Sequence, residues 1–364
     1  MSLFASFLLS TLLSLILVPP VIILAKKFGF VDNPKKHKHP AVIHTKLIPR
    51  AGGVPIFLAF LTAAIFAVPL SPKLLGIFLG GAVLVAVGLA DDKYDLPAFW
   101  KFIAQITAAL IVIFSGVGIA FITNPFNLIG GLGVFSAEVI RLDSARIAFN
   151  FFGDHSILVW ADLFALFWIV WVVNMINFSA GVDGQMPGIA LIAFLVIFIA
   201  SLRFFYDDPN QQLSAVISLI AAGATLGFLF YNFNPAKIFP GDSASYFLGF
   251  LIATLAIISG AKVGTAILVT AVPLVDGVFT ITRRIVSKKS PFKGDRLHLH
   301  HRLLEIGFSQ RQVALFYWLL CAILGAVALS LDSQGKLFAG LFLATVLIGG
   351  LTWLNLTLPK KGQR

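Results

Sequence analysis

Residues 3–25 read LFASFLLSTLLSLILVPPVIILA, a run without a single charged side chain. A helix that crosses the ~30 Å hydrocarbon core of a bilayer needs about 17–25 apolar residues, because each residue adds ~1.5 Å. This run is therefore long enough to span a membrane. No basic residue precedes it, as one would in a cleaved signal peptide, so we expect the helix to be retained.

Similar apolar runs recur along the whole chain and predict a polytopic membrane protein. The chain has 364 residues, of which 59% are hydrophobic and 12% charged, a composition that excludes an ordinary soluble domain. We expect an all-α bundle of eleven transmembrane helices that forms a single domain, residues 1–364. The predicted spans are 3–25, 52–70, 74–90, 102–122, 158–177, 187–205, 212–230, 243–259, 263–281, 312–331 and 336–357.

The basic residues predict the orientation of this bundle. The loop at 26–50 carries seven Lys and Arg residues, and cytoplasmic loops are the ones that accumulate them. The N-terminus is therefore expected outside the cell, and the odd number of spans places the C-terminus in the cytoplasm. We expect the membrane to be the plasma (inner) membrane. Only six of the 27 Lys and Arg residues then face outward: Lys73, Arg141, Arg146, Arg203, Lys262 and Lys336.

Two further expectations follow from this orientation. The net charge of +11 faces the cytosol and its anions, but no interleaving of basic and aromatic residues suggests nucleic acid as a partner. The long outside loop alternates apolar and polar residues, which predicts a short extracytoplasmic β-hairpin at about 135–155.

The unusual polar residues all fall on the predicted cytoplasmic side. Taken alone, each segment could be a solvated turn or a charge in the headgroup layer. Taken together, four segments distant in sequence bring carboxylates, amides, a lysine and histidines to one membrane face, which predicts a functional site. The segments are GLADDKYD at 88–95, NMINFSAGVDGQ at 174–185, NFNPAKIFPGDSAS at 232–245 and DRLHLHHR at 295–302.

The paired carboxylates of Asp91 and Asp92 favour a metal ion. They repel each other at the edge of a low-dielectric slab, and Asp242 adds a third carboxylate where Gly241 permits close approach of the backbone. Oxygen ligands without a thiolate are typical of Mg²⁺, with Mn²⁺ as a substitute.

A zinc site built on the histidines of DRLHLHHR is the alternative metal centre. The single cysteine, Cys321, lies in a distant apolar run, so no Cys/His ligand set exists. In a helix His298 and His301 share one side while His300 points away, whereas in a strand His298 pairs with His300. Neither pattern gathers all three imidazoles, so we disfavour zinc.

A transporter is the competing class of function for an eleven-helix chain. Transporters place ionisable residues or broken helices near the bilayer midplane. Here the middles of the spans are nearly free of charge. Asp276 lies close to the inner end of its span, and Pro273 offers a kink there.

In order along the chain, these motifs resemble the polyprenyl-phosphate N-acetylhexosamine-1-phosphate transferases of glycosyltransferase family 4, over about residues 24–315. The family transfers a sugar-1-phosphate from a UDP-sugar to a membrane-embedded polyprenyl phosphate and releases UMP, with Mg²⁺. The HLHHR form is similar to the branch that transfers GlcNAc-1-phosphate to undecaprenyl phosphate for teichoic acid, O-antigen or other surface polymers. It is less similar to the phospho-N-acetylmuramoyl-pentapeptide transferase branch, which has a GTPTMGG-type stretch where this chain reads IPRAGG. The motifs that carry the resemblance are GFVDNP…PRAGG, GLADDKYDLP, NxxNxxxGxDG, NFNPAKIFPGDSAS, VPLVDGVFTITRR and HLHHRLLEIGFSQRQ.

The resemblance implies roles for individual residues. Asp91 and Asp92 would act near the lipid phosphate or the metal, Asp242 would hold Mg²⁺, and Asp183 would join them as a catalytic carboxylate beside the nucleotide-sugar. The remaining residues would bind substrate. A homodimer is a possible assembly of the chain. The substrate-binding set is Asn174, Asn177, Lys237, His298, His300, His301 and Arg302.

The chain departs from the family pattern at one position. The middle segment usually reads DGxDG, whereas this chain has AGVDG with Ala180 first. A catalytically silent scaffold is therefore the third reading, beside the enzyme and the transporter. We expect the remaining carboxylates to suffice, and Ala180 to alter the choice of donor.

Overall fold

The computed structural model describes most of the chain, and its elements are mainly helices. The described residues are 1–32, 47–124, 139–150, 154–260, 263–288, 290 and 297–357. The helices are α1 Leu3–Phe28, α2 Gly53–Ala67, α3 Pro72–Tyr94, α4 Ala98–Phe114, α5 Val159–Phe178, α6 Gln185–Leu202, α7 Pro209–Asn232, α8 Gly241–Ile258, α9 Val263–Val269, α10 Ala271–Val286, α11 Leu299–Glu305, α12 Gln310–Ser330 and α13 Ser333–Thr357.

The all-α, multi-pass membrane architecture is confirmed. Eight helices within the described ranges are long and apolar enough to cross a membrane, and α2 and α4 are shorter apolar helices. The ninth predicted span is wrong as one helix, because it divides into α9 and α10, which meet at 79°. The exact count of eleven spans stays a prediction.

Within the described ranges, six short strands form three antiparallel pairs beside the helices. They are β1 Val31–Asp32, β2 Ile48–Pro49, β3 Phe121–Thr123, β4 Val139–Arg141, β5 Arg146–Asn150 and β6 Asp154–Leu158. β1 pairs with β2, β3 with β4, and β5 with β6. The last two pairs lie in or near the segment for which the sequence predicts a hairpin. Residues 125–138 and 151–153 of that segment lie outside the described residues, and the side of the membrane on which it lies stays a prediction.

Helix α8 forms the centre of the bundle and α13 its rim. The most apolar 18 residues of α8 are 89% buried, whereas those of α13 are 6% buried. α8 packs between α3 and α5, and α7 packs against α1 and α6. The central position of α8 places Asp242, a predicted site residue in its first turn, among the neighbouring helices.

Glycines bring three helices together at the start of α8. A Cβ on Gly53 of α2 would lie 2.4 Å from the Ser243 carbonyl carbon, and one on Gly88 of α3 would lie 2.4 Å from the Ser243 Cα. Only glycine permits backbones to approach this closely. Since Gly88 precedes Asp91 and Asp92 by one helical turn, this contact sets both carboxylates beside the N-terminus of α8.

Candidate active site

Asp92 is buried at the N-terminus of α8 and is held by three residues. Its Oδ1 accepts from Arg50 Nε at 2.9 Å and from the backbone N–H of Asp242 at 2.8 Å. Its Oδ2 accepts from the Ser243 hydroxyl at 3.0 Å. Its neighbour Gly241 has φ +65°, and a Cβ there would lie 2.2 Å from Asp92 Oδ2, so the predicted close backbone approach at Gly241 is confirmed. A carboxylate at a helix N-terminus is stabilised by the unpaired N–H groups and the helix dipole.

Asp91 and Asp242 lie beside Asp92 and share one lysine. Lys101 Nζ is 2.8 Å from Asp91 Oδ2 and 3.9 Å from Asp242 Oδ2. The Asp91 side chain is 3% exposed, and its Oδ1 accepts from the backbone N–H of Leu96 at 2.8 Å. Asp242 is the most accessible of the three carboxylates, with 16% of its side chain exposed. The three predicted acidic residues therefore do form one cluster.

Asn177 and Tyr246 complete the surroundings of Asp242. The Asn177 amide donates to Asp242 Oδ1 at 3.0 Å and to the Ser245 hydroxyl at 2.8 Å. The Tyr246 hydroxyl donates to Asp242 Oδ2 at 3.0 Å. Asp242 thus keeps its position through neutral donors as well as cations.

Arg50 is the second cation of the cluster, and its guanidinium joins two carboxylates. Besides Asp92, Arg50 Nη2 lies 3.5 Å from Asp242 Oδ1. Burial lowers the pKa of Arg50, but the carboxylates of Asp92 and Asp242 outweigh burial and raise that pKa above its ordinary value. Arg50 is therefore a permanent positive charge between the two acids.

The oxygen ligands of the cluster fit a divalent cation whose remaining ligands would come from the substrates. No group of three His, Cys, Asp or Glu side chains among the described residues is arranged to hold a metal ion unaided. Asp92 has no exposed side-chain surface, and Arg50 and the first turn of α8 cover both of its oxygens, so it does not fit as a ligand. Asp91 and Asp242 fit better, because one oxygen of each faces the partly exposed Lys101, which a metal could displace. Mg²⁺ is commonly held by one or two carboxylates together with substrate phosphates.

Asp183 lies in a different cluster from the other three acids. Its Oδ2 accepts from the Asn234 amide at 2.8 Å and from the backbone N–H of Ala236 at 3.0 Å. Its own backbone N–H donates to Gln310 at 3.4 Å. Asp183 thus ties the segment after α5 to the 234–236 turn and to α12.

The histidine side chains gather, contrary to the expectation from regular helix or strand spacing. The rings of His298 and His300 stack with centroids 5.5 Å apart, and those of His300 and His301 lie 4.3 Å apart. The reason is that α11 begins at Leu299, which leaves His298 in extended backbone as the N-cap. One extended step and one helical step together bring all three rings into contact.

Asp276 of α10 orients this histidine cluster. Its Oδ2 lies 2.8 Å from His298 Nδ1, and its Oδ1 accepts from the backbone N–H of Leu299 at 3.0 Å. The sequence indicates Asp276 only as a charge near the inner end of a span. Its spacing from the histidines gave no signal of this contact.

His300 packs against the backbone of Gly181, since a Cβ there would lie 2.1 Å from His300 Nε2. Burial, with His301 and His298 beside it, lowers the pKa of His300 well below its ordinary value. The His300 Nδ1 atom is buried without a hydrogen-bond partner. His300 is therefore neutral and retains an unused polar atom.

The C-terminal end of α5 connects the carboxylate cluster to the histidine cluster. Asn177 donates to Asp242, while the next residue, Phe178, has its ring centroid 6.0 Å from that of His298. Gly181 then contacts His300. Two of the predicted groups of residues thus flank one short segment.

Three other predicted binding residues have mainly structural partners. Asn174 exchanges hydrogen bonds with Gln105 of α4. Arg302 is 1% exposed and donates to Asn355 of α13 at 2.8 Å and to Glu305. Lys237 is exposed, with Nζ 5.8 Å from the centre of the Tyr231 ring.

Comparison with known proteins decides the family. A family model described as glycosyl transferase family 4 matches residues 74–260. The probable undecaprenyl-phosphate N-acetylglucosaminyl 1-phosphate transferase of Bacillus subtilis is 31% identical over 94% of this chain and 88% of its own length. The chain belongs to glycosyl transferase family 4. The predicted family is thereby confirmed.

Other members of glycosyl transferase family 4 show the same relation. The decaprenyl-phosphate N-acetylglucosaminephosphotransferase of Mycobacterium tuberculosis is 33% identical over 92% of this chain and 84% of its own length. A phospho-N-acetylmuramoyl-pentapeptide-transferase of Staphylococcus carnosus is 26% identical over 87% of this chain and 95% of its own. The chain is more similar to the first branch, as its HLHHR motif predicts. The matched range 74–260 contains the three clustered carboxylates and Lys101 but neither Arg50 nor the histidines.

Proposed function

We propose that this protein transfers N-acetylglucosamine-1-phosphate from UDP-N-acetylglucosamine to undecaprenyl or another polyprenyl phosphate, and so starts a cell-envelope glycan. The observation that carries the proposal is the cluster of three carboxylates with two bridging cations at the N-terminus of α8. The relatives that the chain resembles are named as transferases onto undecaprenyl or decaprenyl phosphate, which supports the same acceptor here.

The proposed reaction exchanges one phosphoanhydride bond for another. An oxygen of the acceptor phosphate attacks the phosphorus that bears the sugar, a new P–O–P bond forms, and the bond to the UMP oxygen breaks. The acceptor phosphate is already largely ionised near neutral pH, so the protein need not remove a proton from it. Its main tasks are to bring two anions together and to stabilise the charge that develops between them.

The cations of the cluster suit these tasks. Lys101 is 23% exposed on its side chain and Arg50 is 31% exposed, so both can reach a phosphate while they keep contact with Asp91 and Asp92. Mg²⁺ or Mn²⁺ would be held by the carboxylates of Asp91 and Asp242 and by the side-chain amide oxygen of Asn177. The metal would neutralise phosphate charge and align the two substrates.

Asp92 has a positioning role in this proposal, because its oxygens hold Arg50 and the first turn of α8. Arg302 anchors α11 to α13. We assign the histidine cluster and the Asp183 turn to the donor-facing wall; His300 Nδ1 is buried without a partner, so a donor group would have to enter the cluster to contact it. We assign Lys237 to the rim of the donor site on account of its exposure.

The site is proposed to face the cytoplasm across the plasma (inner) membrane, with eleven spans and the strands β5 and β6 outside. The excess of Lys and Arg in the predicted inner loops supports this orientation. Single cysteines at residues 95 and 145 of a Cys321→Ser chain test it. A membrane-impermeant thiol reagent added to intact cells should label position 145 alone, and labelling of position 95 would contradict the proposal.

The assay that tests the function uses purified protein, undecaprenyl phosphate and a panel of UDP-sugars with Mg²⁺. UMP release that requires the lipid acceptor supports the transferase. Accumulation of substrate in proteoliposomes without UMP release would support the transporter instead. The absence of both UMP release and accumulation would favour a silent scaffold. The homodimer remains a prediction, to be tested by the mass of the detergent-solubilised protein.

A further inference from the structure

The start of α6, which follows Asp183 directly, is in contact with Trp318 of α12. The Trp318 Nε1–H donates to the Gly184 carbonyl at 3.1 Å. A Cβ on Gly188 would overlap the indole ring, so no side chain separates that ring from the backbone of α6. Trp318 therefore joins α12 to the start of α6 by a hydrogen bond and by close packing.

Gly184 lies against two aromatic rings at this contact. The ring centroids of Trp318 and Phe233 are 5.4 Å apart, with an angle of 42° between the ring planes. A Cβ on Gly184 would lie 2.9 Å from Phe233 Cδ2 and 3.6 Å from Trp318 Cζ2. Gly184 also has φ +78°, a left-handed conformation that favours glycine. Both its backbone conformation and its neighbours therefore restrict how this residue can move.

The contacts of Gly184 fix the residue before it, Asp183. The Gly184 N–H donates to Asn232 Oδ1 of α7 at 3.0 Å, and the Gly184 carbonyl accepts from Trp318 of α12. Asp183 Oδ2 accepts from two donors of the 234–236 turn. Asp183 Oδ1 accepts from no donor in the described part of the chain, so it is the oxygen left for a ligand.

Two other residues of α12 hold the same region. Gln310 Oε1 accepts from the backbone N–H of Asp183 at 3.4 Å, and Arg311 Nε donates to the Asn234 carbonyl at 2.9 Å. The first turn of α12 is itself closed by a capping box, which satisfies N–H groups at the helix start. α12 therefore supports both the segment that carries Asp183 and the turn that donates to its carboxylate.

We propose that Trp318 is a positioning residue for donor binding, which holds Gly184 so that Asp183 Oδ1 is kept in place for the nucleotide-sugar. The inference rests on the proposed transferase function. Trp318 lies outside both the matched range 74–260 and the motifs that carry the resemblance to the family. A Trp318 that only stabilised the fold would affect unfolding alone, whereas a positioning residue also affects the affinity for the donor.

The test compares Trp318→Phe with the wild-type full-length protein in the UMP-release assay, with UDP-N-acetylglucosamine and undecaprenyl phosphate varied in turn. Phenylalanine keeps an aromatic ring but cannot donate to the Gly184 carbonyl, which then retains only the N–H of Gly188. The KM for the UDP-sugar should rise about fivefold, as loss of one hydrogen bond predicts. The kcat and the KM for the lipid should change by less than about twofold. Calorimetry without the lipid should show the same loss of affinity for the UDP-sugar.

Trp168 supplies the matched control, since its Nε1–H donates to the Ala253 carbonyl at the same distance of 3.1 Å. Ala253 lies 11 residues beyond Asp242 on α8, which is about 16 Å along the helix. Trp168→Phe removes an equivalent hydrogen bond far from the donor site. It should lower the Tm but leave both KM values unchanged.

Gly188→Ala disturbs the same contact from α6, because its methyl group would overlap the indole ring of Trp318. It should also raise the KM for the UDP-sugar, and it tests the inference even where Trp318→Phe does not fold. The two substitutions act on one contact, so the double variant should be no worse than Trp318→Phe alone. Unchanged donor affinity in both single variants, or additive losses in the double variant, would overturn the inference while the wild-type activity stands. A wild type that neither binds UDP-N-acetylglucosamine nor releases UMP would overturn the proposed function, and the inference with it.

Discussion

Asp92→Asn separates a positioning carboxylate from one that acts on substrate. The substitution keeps the shape of the side chain but replaces an acceptor by an amide that must donate. In the structure both oxygens face donors: Arg50 Nε at 2.9 Å, the Asp242 N–H at 2.8 Å and the Ser243 hydroxyl at 3.0 Å. The asparagine would therefore leave the N-terminus of α8 poorly satisfied and Arg50 without its nearer partner.

The expected loss of stability follows from this geometry. Removal of one partner from a buried ion pair costs about 3–5 kcal/mol. Arg50 is 31% exposed and keeps Asp242 at 3.5 Å, so we expect the lower end, about 3 kcal/mol. At ~2 °C per kcal/mol for a large domain, the Tm should fall by roughly 6 °C.

The chain supplies its own probe for this measurement. Cys321 is the single cysteine and is fully buried, so a thiol-reactive fluorophore reports unfolding directly. Asp95→Asn, at the exposed C-cap of α3, is the matched control and should leave Tm unchanged. Asp242→Asn should lose most transfer activity with a smaller fall in Tm, because that side chain is 16% exposed. An Asp92→Asn protein with wild-type Tm and no activity would refute the positioning role.

Three further predictions address the metal, the histidines and position 180. EDTA should abolish UMP release and Mg²⁺ or Mn²⁺ should restore it, since Asp91 and Asp242 need a divalent cation to bind phosphate; full turnover in EDTA would contradict this. Because the pKa of His300 is lowered in the folded protein, the unfolded chain gains a proton first as pH falls; the Tm should therefore drop below about pH 6.5, and His300→Gln should flatten that drop. Ala180→Asp should change the relative rates with different UDP-sugars, whereas a wild type inactive with every donor and an active variant would establish the silent scaffold.

The sequence predicts the elements well where information is local. Apolar runs identify most of the spans, and a carboxylate pair next to the end of a span locates the carboxylate cluster. The position of the break between α9 and α10 is harder to predict from the sequence, because Pro273 suggests the kink whereas the chain bends at Thr270. Nearly every residue of α8 is buried, so its sequence does not alternate between apolar and polar faces with helical periodicity.

The two cations of the candidate site could not be found from the sequence. Arg50 belongs to a loop whose positive charges predict the membrane orientation of the chain, and Lys101 lies at the start of an apolar helix. Each acquires its partner only through tertiary contacts, above all the approach of Gly53 and Gly88 to Ser243. Periodicity and spacing carry no information on such contacts between distant segments.

The charge balance of the cluster bears on how substrates enter it. Three carboxylates face two cations, Arg50 and Lys101, so the cluster carries no surplus of positive charge while its acids are ionised. The proposed nucleotide-sugar and lipid phosphate would each add negative charge, and in a low-dielectric region that repulsion is weakly screened. We therefore expect at least one more cation to accompany the substrates. Lys101 is already shared unequally between Asp91 and Asp242, at 2.8 and 3.9 Å, so a divalent cation between those acids could release it toward a phosphate.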